Sequence, residues 1–548
     1  MNREFSGSAR VVSALVLLVV YAALSFLVNP GGTLGTDSGA KVATLTAMSE
    51  ANTFRVDVGY WAEDFDSDGR YHPLFGSARN DEGEWVAVTT LPMLLAARPL
   101  FDLGGLRLAL LVPMVGSVLA ALATADIARQ VSGDRCSTST RTFWIVGLAS
   151  PMAIYALDLW EHAPGAGFMV AGVALLVRAV DRVPPVWLGV AAGGCFGLAG
   201  SMRSEAYIVL FVALAGACSF LVHRRAVGHA LWLGVSASLA FGAMFLGNDR
   251  LESVLGGNSR VARAEGRATG DTVANLGDRA QDALLTWFGG SVGSVGIAVA
   301  TGVVLAALLI VGVRLADSDP RASRLALGAA GAALFVMILS GRGFVPGALV
   351  ASPVAVLAFA RRPHVGAQMY VMGVALASTL LIWMFSFVGA AGPQWGGRYL
   401  LAPTLLLTAL GVVALNATPV PLRRFVTGLA VAVTVFGLSW VQFRTQSIDS
   451  FFDALGNRSE PVLIASDGFL IREGGAAGLD EQWLSLGRGE PFIGALDIAE
   501  AAGVDRIGLV SPVAEPPERP GWTAIATTEL ELLDGPYYVH TFQLAATP

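Results

Sequence analysis

Residues 11–28 read VVSALVLLVVYAALSFLV, and the polar stretch beyond them opens at residues 35–41 with GTDSGAK. An unbroken apolar run of about 18 residues is long enough to cross the hydrocarbon core of a bilayer. The next long apolar stretch begins only near Leu106, so residues 29–105 form a large first loop rich in acidic side chains. Its leading carboxylate, Asp37, stands close to where the chain leaves the membrane. Charge held at that depth is costly, and it points to function.

The rest of the chain repeats the opening pattern. Of 548 residues, 54% are hydrophobic and 14% charged, and apolar runs recur along most of the length. That composition argues for a polytopic helical membrane protein and against a string of soluble domains. The first run lacks a small-x-small cleavage site and is followed by many more spans, so it reads as a span and not a signal peptide. Net charge is −6, with Lys41 the only lysine, and nothing suggests nucleic-acid binding. The three cysteines, Cys136, Cys195 and Cys218, have neither disulfide nor metal-ligand spacing.

Arginines cluster at alternate ends of the apolar runs: Arg3/Arg10, Arg129/Arg135/Arg141, Arg178/Arg182, Arg224/Arg225, Arg314/Arg321/Arg324, Arg361/Arg362 and Arg423/Arg424. The positive-inside rule assigns these ends to the cytoplasm. The spans then read 11–28, 106–127, 142–158, 165–180, 186–201, 205–222, 228–247, 291–313, 325–340, 344–360, 367–389, 399–416 and 425–441. That makes about 13 transmembrane helices, N-terminus cytoplasmic and C-terminus outside. Five features fall on the outer face: the loop 29–105, the turn Asp158 to Pro164, Ser201 to Glu205, the loop 248–290 and the turn Ala390 to Arg398. Residues 1–446 form the membrane domain, and 447–548 have the texture of a small extracytoplasmic α/β domain. Strands are expected at 461–466, 506–511, 522–533 and 537–544, and helices at 479–486 and 495–502.

Within the first loop, Ser38 to Ala51 reads as a surface helix. Thr36 or Asp37 can cap it, or Asp37 can serve as a general base at the membrane boundary. Lys41, one turn on, can pair with Asp37 or hold an anionic phosphate. The acidic run Glu63 to Asp68 lacks EF-hand spacing and reads as a solvated turn before a calcium loop. Residues 70–90 read as a hairpin, and Leu91 to Leu103 as an interfacial helix. Glu161 and His162 can orient a substrate or bind a divalent metal with Asp37, or can simply end a helix, with Trp160 in an aromatic belt. Arg203, Arg342 and Arg398 lie at outer span ends against the arginine pattern, as anchors or as a clamp for a lipid phosphate.

Asp37 after the first span, the large first loop, about 13 spans and an outer C-terminal domain together resemble the GT-C superfamily, membrane glycosyltransferases that use polyprenyl-phosphate sugars. Residues 81–86 (DEGEWV) running into 91–96 (LPMLLA), residues 342–353 (RGFVPGALVASP) and residues 394–403 (QWGGRYLLAP) look like segments of bacterial members related to the protein mannosyltransferase and aminoarabinose transferase groups. The resemblance maps the family's catalytic acid of the first loop to Asp37 and its second-loop acid to Glu161. Many relatives carry two adjacent acids there, whereas Ser38 follows Asp37 here, which speaks against a bound metal.

The resemblance implies inverting transfer of a sugar from a polyprenyl monophosphate to a cell-envelope glycan, lipid or protein acceptor at the outer face of a bacterial plasma membrane. Asp37 would take the acceptor's proton, and Arg398 with Arg203 or Arg342 would neutralise the leaving lipid phosphate. No cofactor is firmly implied, a divalent metal stays the alternative, and no nucleotide site is expected, since no glycine loop follows a strand on the cytoplasmic side. The alternatives are a flippase or transporter of lipid-linked sugars, which would bury charges mid-span and repeat internally, and a non-catalytic scaffold of envelope assembly.

Overall fold

A computed structural model describes residues 7–74, 76–87, 90–133, 137–181, 185–257, 276–290, 295–339, 345–364, 366–385, 395–487, 489–532 and 535–545. Among these, ten helices are long and apolar enough to cross a bilayer: Ser8–Leu27, Leu111–Ser132, His162–Val180, Glu205–His223, Val227–Gly256, Gly296–Arg314, Pro320–Leu339, Ala367–Phe385, Arg398–Asn416 and Val420–Gly456. Large apolar side chains such as Leu239 and Phe335 stand exposed on them, as lipid-facing positions do. The chain is thus an α-helical polytopic membrane protein, and its described residues hold ten full-length spans of the thirteen expected.

Two of the three shortfalls trace to a proline. Residues 186–201 do form a helix, Val186–Met202, but a short one. The span expected at 142–158 stops at Leu148, in a helix that begins at Ser137. Pro151 cannot donate to the helix ladder, and Ser150 turns its hydroxyl back to Val146 O at 2.6 Å. The span expected at 344–360 is broken into Ala348–Ala351, Pro353–Val356 and Leu357–Phe359, again with a proline inside. Residues 149–163 and 346–358 are buried throughout. Irregular backbone at membrane depth is tolerated only where protein covers it or a cavity adjoins it.

Beyond the bundle lies a five-stranded sheet of order β4-β3-β5-β7-β6, with β3 Val462–Ala465, β4 Gln482–Ser485, β5 Arg506–Ser511, β6 Trp522–Leu532 and β7 Gly535–Leu544. β4, β3 and β5 are parallel, and β7 and β6 add antiparallel. The helix expected over 479–486 is instead a single turn, Ala477–Asp480, followed by β4. Trp483 and Leu484, fully buried in β4, fit a strand covered on both faces better than one stripe of a helix. The helix expected at 495–502 is present as Phe492–Ala501.

One face of the sheet packs on that helix and on Ala62 and Tyr71 of the first loop. The other packs on Ile448, Phe451, Phe452 and Leu455, which belong to the 37-residue helix Val420–Gly456. That helix runs from the bundle into the sheet layer without interruption, so position 447 falls inside it. The first loop carries the expected hairpin, β1 Ala78–Arg79 against β2 Trp85–Val86. Its last helix, Leu91–Ala109, is bent at Gly104 and Gly105.

Candidate active site

Four of the five expected outer features send side chains to one cluster, and the C-terminal segment adds a fifth contribution. The cluster starts with the helix Thr36–Glu50. Gly35 is its N-cap and makes no side-chain cap, so Asp37 lies in the first turn and does not cap it. The positive end of the helix dipole still favours a carboxylate there.

The approach to that helix is fixed from the C-terminal half of the chain. Asn29 Nδ2 donates to Asp449 Oδ2 at 2.6 Å, and Thr33 Oγ1 donates to Glu473 O at 2.8 Å. Arg444 Nε donates to Leu34 O at 3.0 Å while its Nη2 pairs with Glu473 at 2.6 Å. At Gly39 a Cβ would stand 1.6 Å from the carbonyl oxygen of Arg472. Only glycine lets the two segments touch there.

This docking places Arg472 on Asp37. Arg472 Nη2 donates to Asp37 Oδ1 at 3.0 Å, and Arg398 Nη1 lies 3.5 Å from Asp37 Oδ2. Arg398 is delivered by Gly396 and Gly397, whose φ values of +68° and +62° are the left-handed region. Its guanidinium sits 5.3 Å over the Trp160 ring and 4.8 Å over Tyr399. Asp37 keeps 39% of its side-chain surface exposed, whereas Arg472 is 8% and Arg398 13% exposed. A half-open carboxylate therefore faces two sheltered guanidinium groups.

Behind it lies a second layer. Lys41 Nζ pairs with Glu161 Oε2 at 2.8 Å and donates to the main-chain oxygen of Asp37 at 3.2 Å. Arg203 Nη1 reaches Glu161 Oε1 at 3.2 Å, and its Nε donates to Glu205 at 2.8 Å. Ser38 Oγ donates to Asp158 Oδ1. Burial would raise the Asp37 carboxyl, but Lys41, Arg472, Arg398 and Arg203 more than offset it, and the group is held below its ordinary range. Glu161 is likewise held down, burial being outweighed by Lys41 and Arg203. Asp158 goes the other way: burial outweighs Ser38 and Lys41 and pushes it up to about 6.

These contacts redistribute the roles expected from sequence. Glu161 is locked between Lys41 and Arg203 and has no open face for proton transfer. Lys41 and Arg203 are spent on carboxylates and are not held out toward a phosphate. His162 is 1% exposed, 4.1 Å from the Trp160 ring and 5.6 Å from Tyr155, with neither ring nitrogen hydrogen-bonded. It braces the aromatic floor under Arg398 and does not reach the opening. Arg342, Cys136 and Gln394 lie outside the described residues.

A cation at Glu161 would meet the charges of Lys41 and Arg203. Among the described residues no group of three or more His, Cys, Asp or Glu is placed to hold a metal ion. In the acidic run, Asp66 accepts from Tyr60 Oη and from the amides of Arg70 and Tyr71, as a turn residue does. Sequence reasoning missed Arg472 altogether, because nothing in residues 470–473 (LIRE) marks a partner 435 residues away. Ser38 and Asp158 were in view but had no reason to be paired.

No family model matches the chain, and no curated protein matches it. Among solved structures it is similar to the oligosaccharyltransferase of Archaeoglobus fulgidus in the apo form, at 14% identity and TM-score 0.43, over 91% of this chain and 69% of that one. It is also similar to ArnT from Cupriavidus metallidurans bound to undecaprenyl phosphate, at 13% identity and TM-score 0.43, over 98% of each chain. A third is the arabinosyltransferase EmbB of Mycobacterium smegmatis, at 12% identity and TM-score 0.39, over 96% of this chain and 46% of that one. At these identities and scores the likenesses carry no argument about chemistry, which rests on the site itself.

Proposed function

We propose that the protein is a membrane glycosyltransferase that moves a sugar from a polyprenyl monophosphate to an acceptor at the outer face of a bacterial plasma membrane. The observation that carries this reading is the half-exposed Asp37 carboxylate between Arg398 and Arg472, in a chain with ten membrane-length helices among its described residues. A lipid-linked donor brings an anionic phosphate to that depth, and guanidinium groups bind phosphate oxygens bidentately. A carboxylate in the same opening can take the proton of an acceptor hydroxyl.

The acceptor oxygen then forms a bond to the anomeric carbon from the face opposite the phosphate. The bond from that carbon to the phosphate oxygen breaks, and the polyprenyl phosphate leaves with the electron pair. Arg398 and Arg472 stabilise the charge that collects on it. Asp37 ends protonated and returns the proton to water. Glu161 takes no part in bond making; it fixes Lys41 and Arg203, and through Lys41 the backbone of Asp37.

The test is transfer from labelled polyprenyl-phosphate sugars in membranes carrying the wild type or Asp37→Asn. Loss of the base is expected to slow transfer roughly 10²- to 10⁴-fold. Turnover near the wild-type rate in Asp37→Asn removes the base from the mechanism. Absence of turnover with every donor in the wild type points to a transporter or a scaffold.

A further inference from the structure

Among the described residues, the charges of the site balance. Lys41, Arg203, Arg398 and Arg472 face Asp37, Asp158, Glu161 and Glu205. Each of these four cations is already held by a carboxylate, so a phosphate anion that binds them takes them from it. The inner set is not the source: Lys41, Glu161, Arg203 and Glu205 have side-chain exposures of 3%, 7%, 10% and 3%. Breaking a buried pair leaves an uncompensated charge in low dielectric. The outer set is, because Asp37 is open to water and is rehydrated when its partners leave.

We propose that Arg472 is a latch carried by the C-terminal segment: before donor binds, it holds Asp37 in an ion pair, and the donor phosphate takes over Arg472 and Arg398 and sets the carboxylate free for the acceptor. This rests on the reading of Asp37 as the base. It makes the donor the first substrate to bind, since the base is released only when the leaving group is already in its clamp. A carboxylate stripped of two cationic neighbours also becomes more basic, which suits it to proton abstraction. The latch explains why the first-loop helix and the turn before residue 475 touch at Gly39: the contact fixes the Arg472 main chain against the turn that carries Asp37.

The test uses the full-length protein in nanodiscs and a sugar-free polyprenyl monophosphate as probe, with binding read by tryptophan fluorescence. Arg472→Gln is expected to weaken binding roughly tenfold. Asp37→Asn is expected to tighten it several-fold, and the double variant to lose that gain, because the competition is for Arg472. Non-additivity across this cycle is the signature of the latch. Gly39→Ala gives the same weakening with both charges present, because its Cβ pushes the Arg472 backbone away. Thermal unfolding confirms that each variant is folded, and Arg472→Met replaces Arg472→Gln if the latter is not.

An equal Asp37→Asn gain with and without Arg472, or wild-type affinity in Arg472→Gln, overturns the latch. Sugar transfer is measured separately on Asp37→Asn. Loss of transfer with an additive binding cycle leaves the base standing and removes only the latch; retained transfer removes the base itself.

Discussion

Lys41 and Glu161 lie 2.8 Å apart with side-chain exposures of 3% and 7%, which makes the chain's only lysine half of a buried ion pair. Glu161 also holds Arg203, so one carboxylate ties the first-loop helix to the break between the helices Val186–Met202 and Glu205–His223. The pair is structural in this arrangement, and it fixes the height of Asp37 through the bond from Lys41 to the Asp37 main chain.

Replacing one partner is therefore expected to damage the fold more than replacing both. Glu161→Gln strands the Lys41 charge, a loss of about 3–5 kcal/mol for a buried pair. Thermal unfolding in detergent should show a large fall for Glu161→Gln and a smaller one for Lys41→Met combined with Glu161→Leu. A Glu161→Gln variant with an unchanged unfolding temperature but no sugar transfer would return Glu161 to a chemical role.

Asp158 gives the stability a pH dependence of definite sign. Its carboxyl titrates near 3.8 when unfolded and is pushed up to about 6 by burial in the fold. Between those values the folded state holds the proton and the unfolded state has lost it, so this group lowers stability as pH rises through the window and adds no further change above it. Asp158→Asn keeps an acceptor for Ser38 and never ionises. It should unfold at a higher temperature than wild type at pH 7.5 and at the same temperature at pH 3.5. An unfolding temperature that differs equally at both values contradicts the assignment.

Gly396 carries Arg398 to its place by a backbone conformation that other residues resist. Its φ is +68°, and a Cβ there would stand 2.4 Å from Cγ of Pro151. Gly396→Ala is expected to cost about 1–3 kcal/mol from the strained backbone. It should also move Arg398, so the donor KM rises with kcat less affected. A variant with reduced unfolding temperature and unaltered donor KM would mean that Arg398 is not part of the donor clamp.

How far these features were legible in the sequence depends on what specified them. Span length and apolar composition report solvation, so the polytopic architecture could be read from local composition. The Thr36–Glu50 helix and the 78–86 hairpin, set by nearby residues, could be read likewise. The broken segments after Leu148 and Ala351 could not, because their apolar residues look like spans and only packing shows that prolines end the helices early. Asp37 and Arg398 stood out by position, but their partners did not. Arg472 meets Asp37 through close approaches at Gly39 and Thr33, and a contact between segments so distant in sequence leaves no periodic trace in either.

The same long-range docking makes the first loop dependent on the C-terminal sheet, and this can be measured. Trp61 Nε1 donates to Trp483 O at 2.8 Å, Tyr71 Oη donates to Pro491 O at 3.1 Å, and Ser485 N donates to Tyr71 O at 2.9 Å. Ala62 and Tyr71 are buried with Val462, Ile464 and Leu484 of the sheet. Trp61→Ala removes one anchor and the apolar area beside it, so the loop opens locally while the bundle stays folded. When opening is fast relative to cleavage, proteolysis reports the open population. Cleavage between residues 50 and 75 should accelerate roughly tenfold, in line with a local loss of about 1.4 kcal/mol, with the global unfolding temperature little changed. Because the loop also carries the Asp37 helix, sugar transfer should fall in the same variant. Unchanged cleavage would show that the loop holds its shape on the bundle alone, and that the sheet contributes Arg472 without supporting the rest of the site.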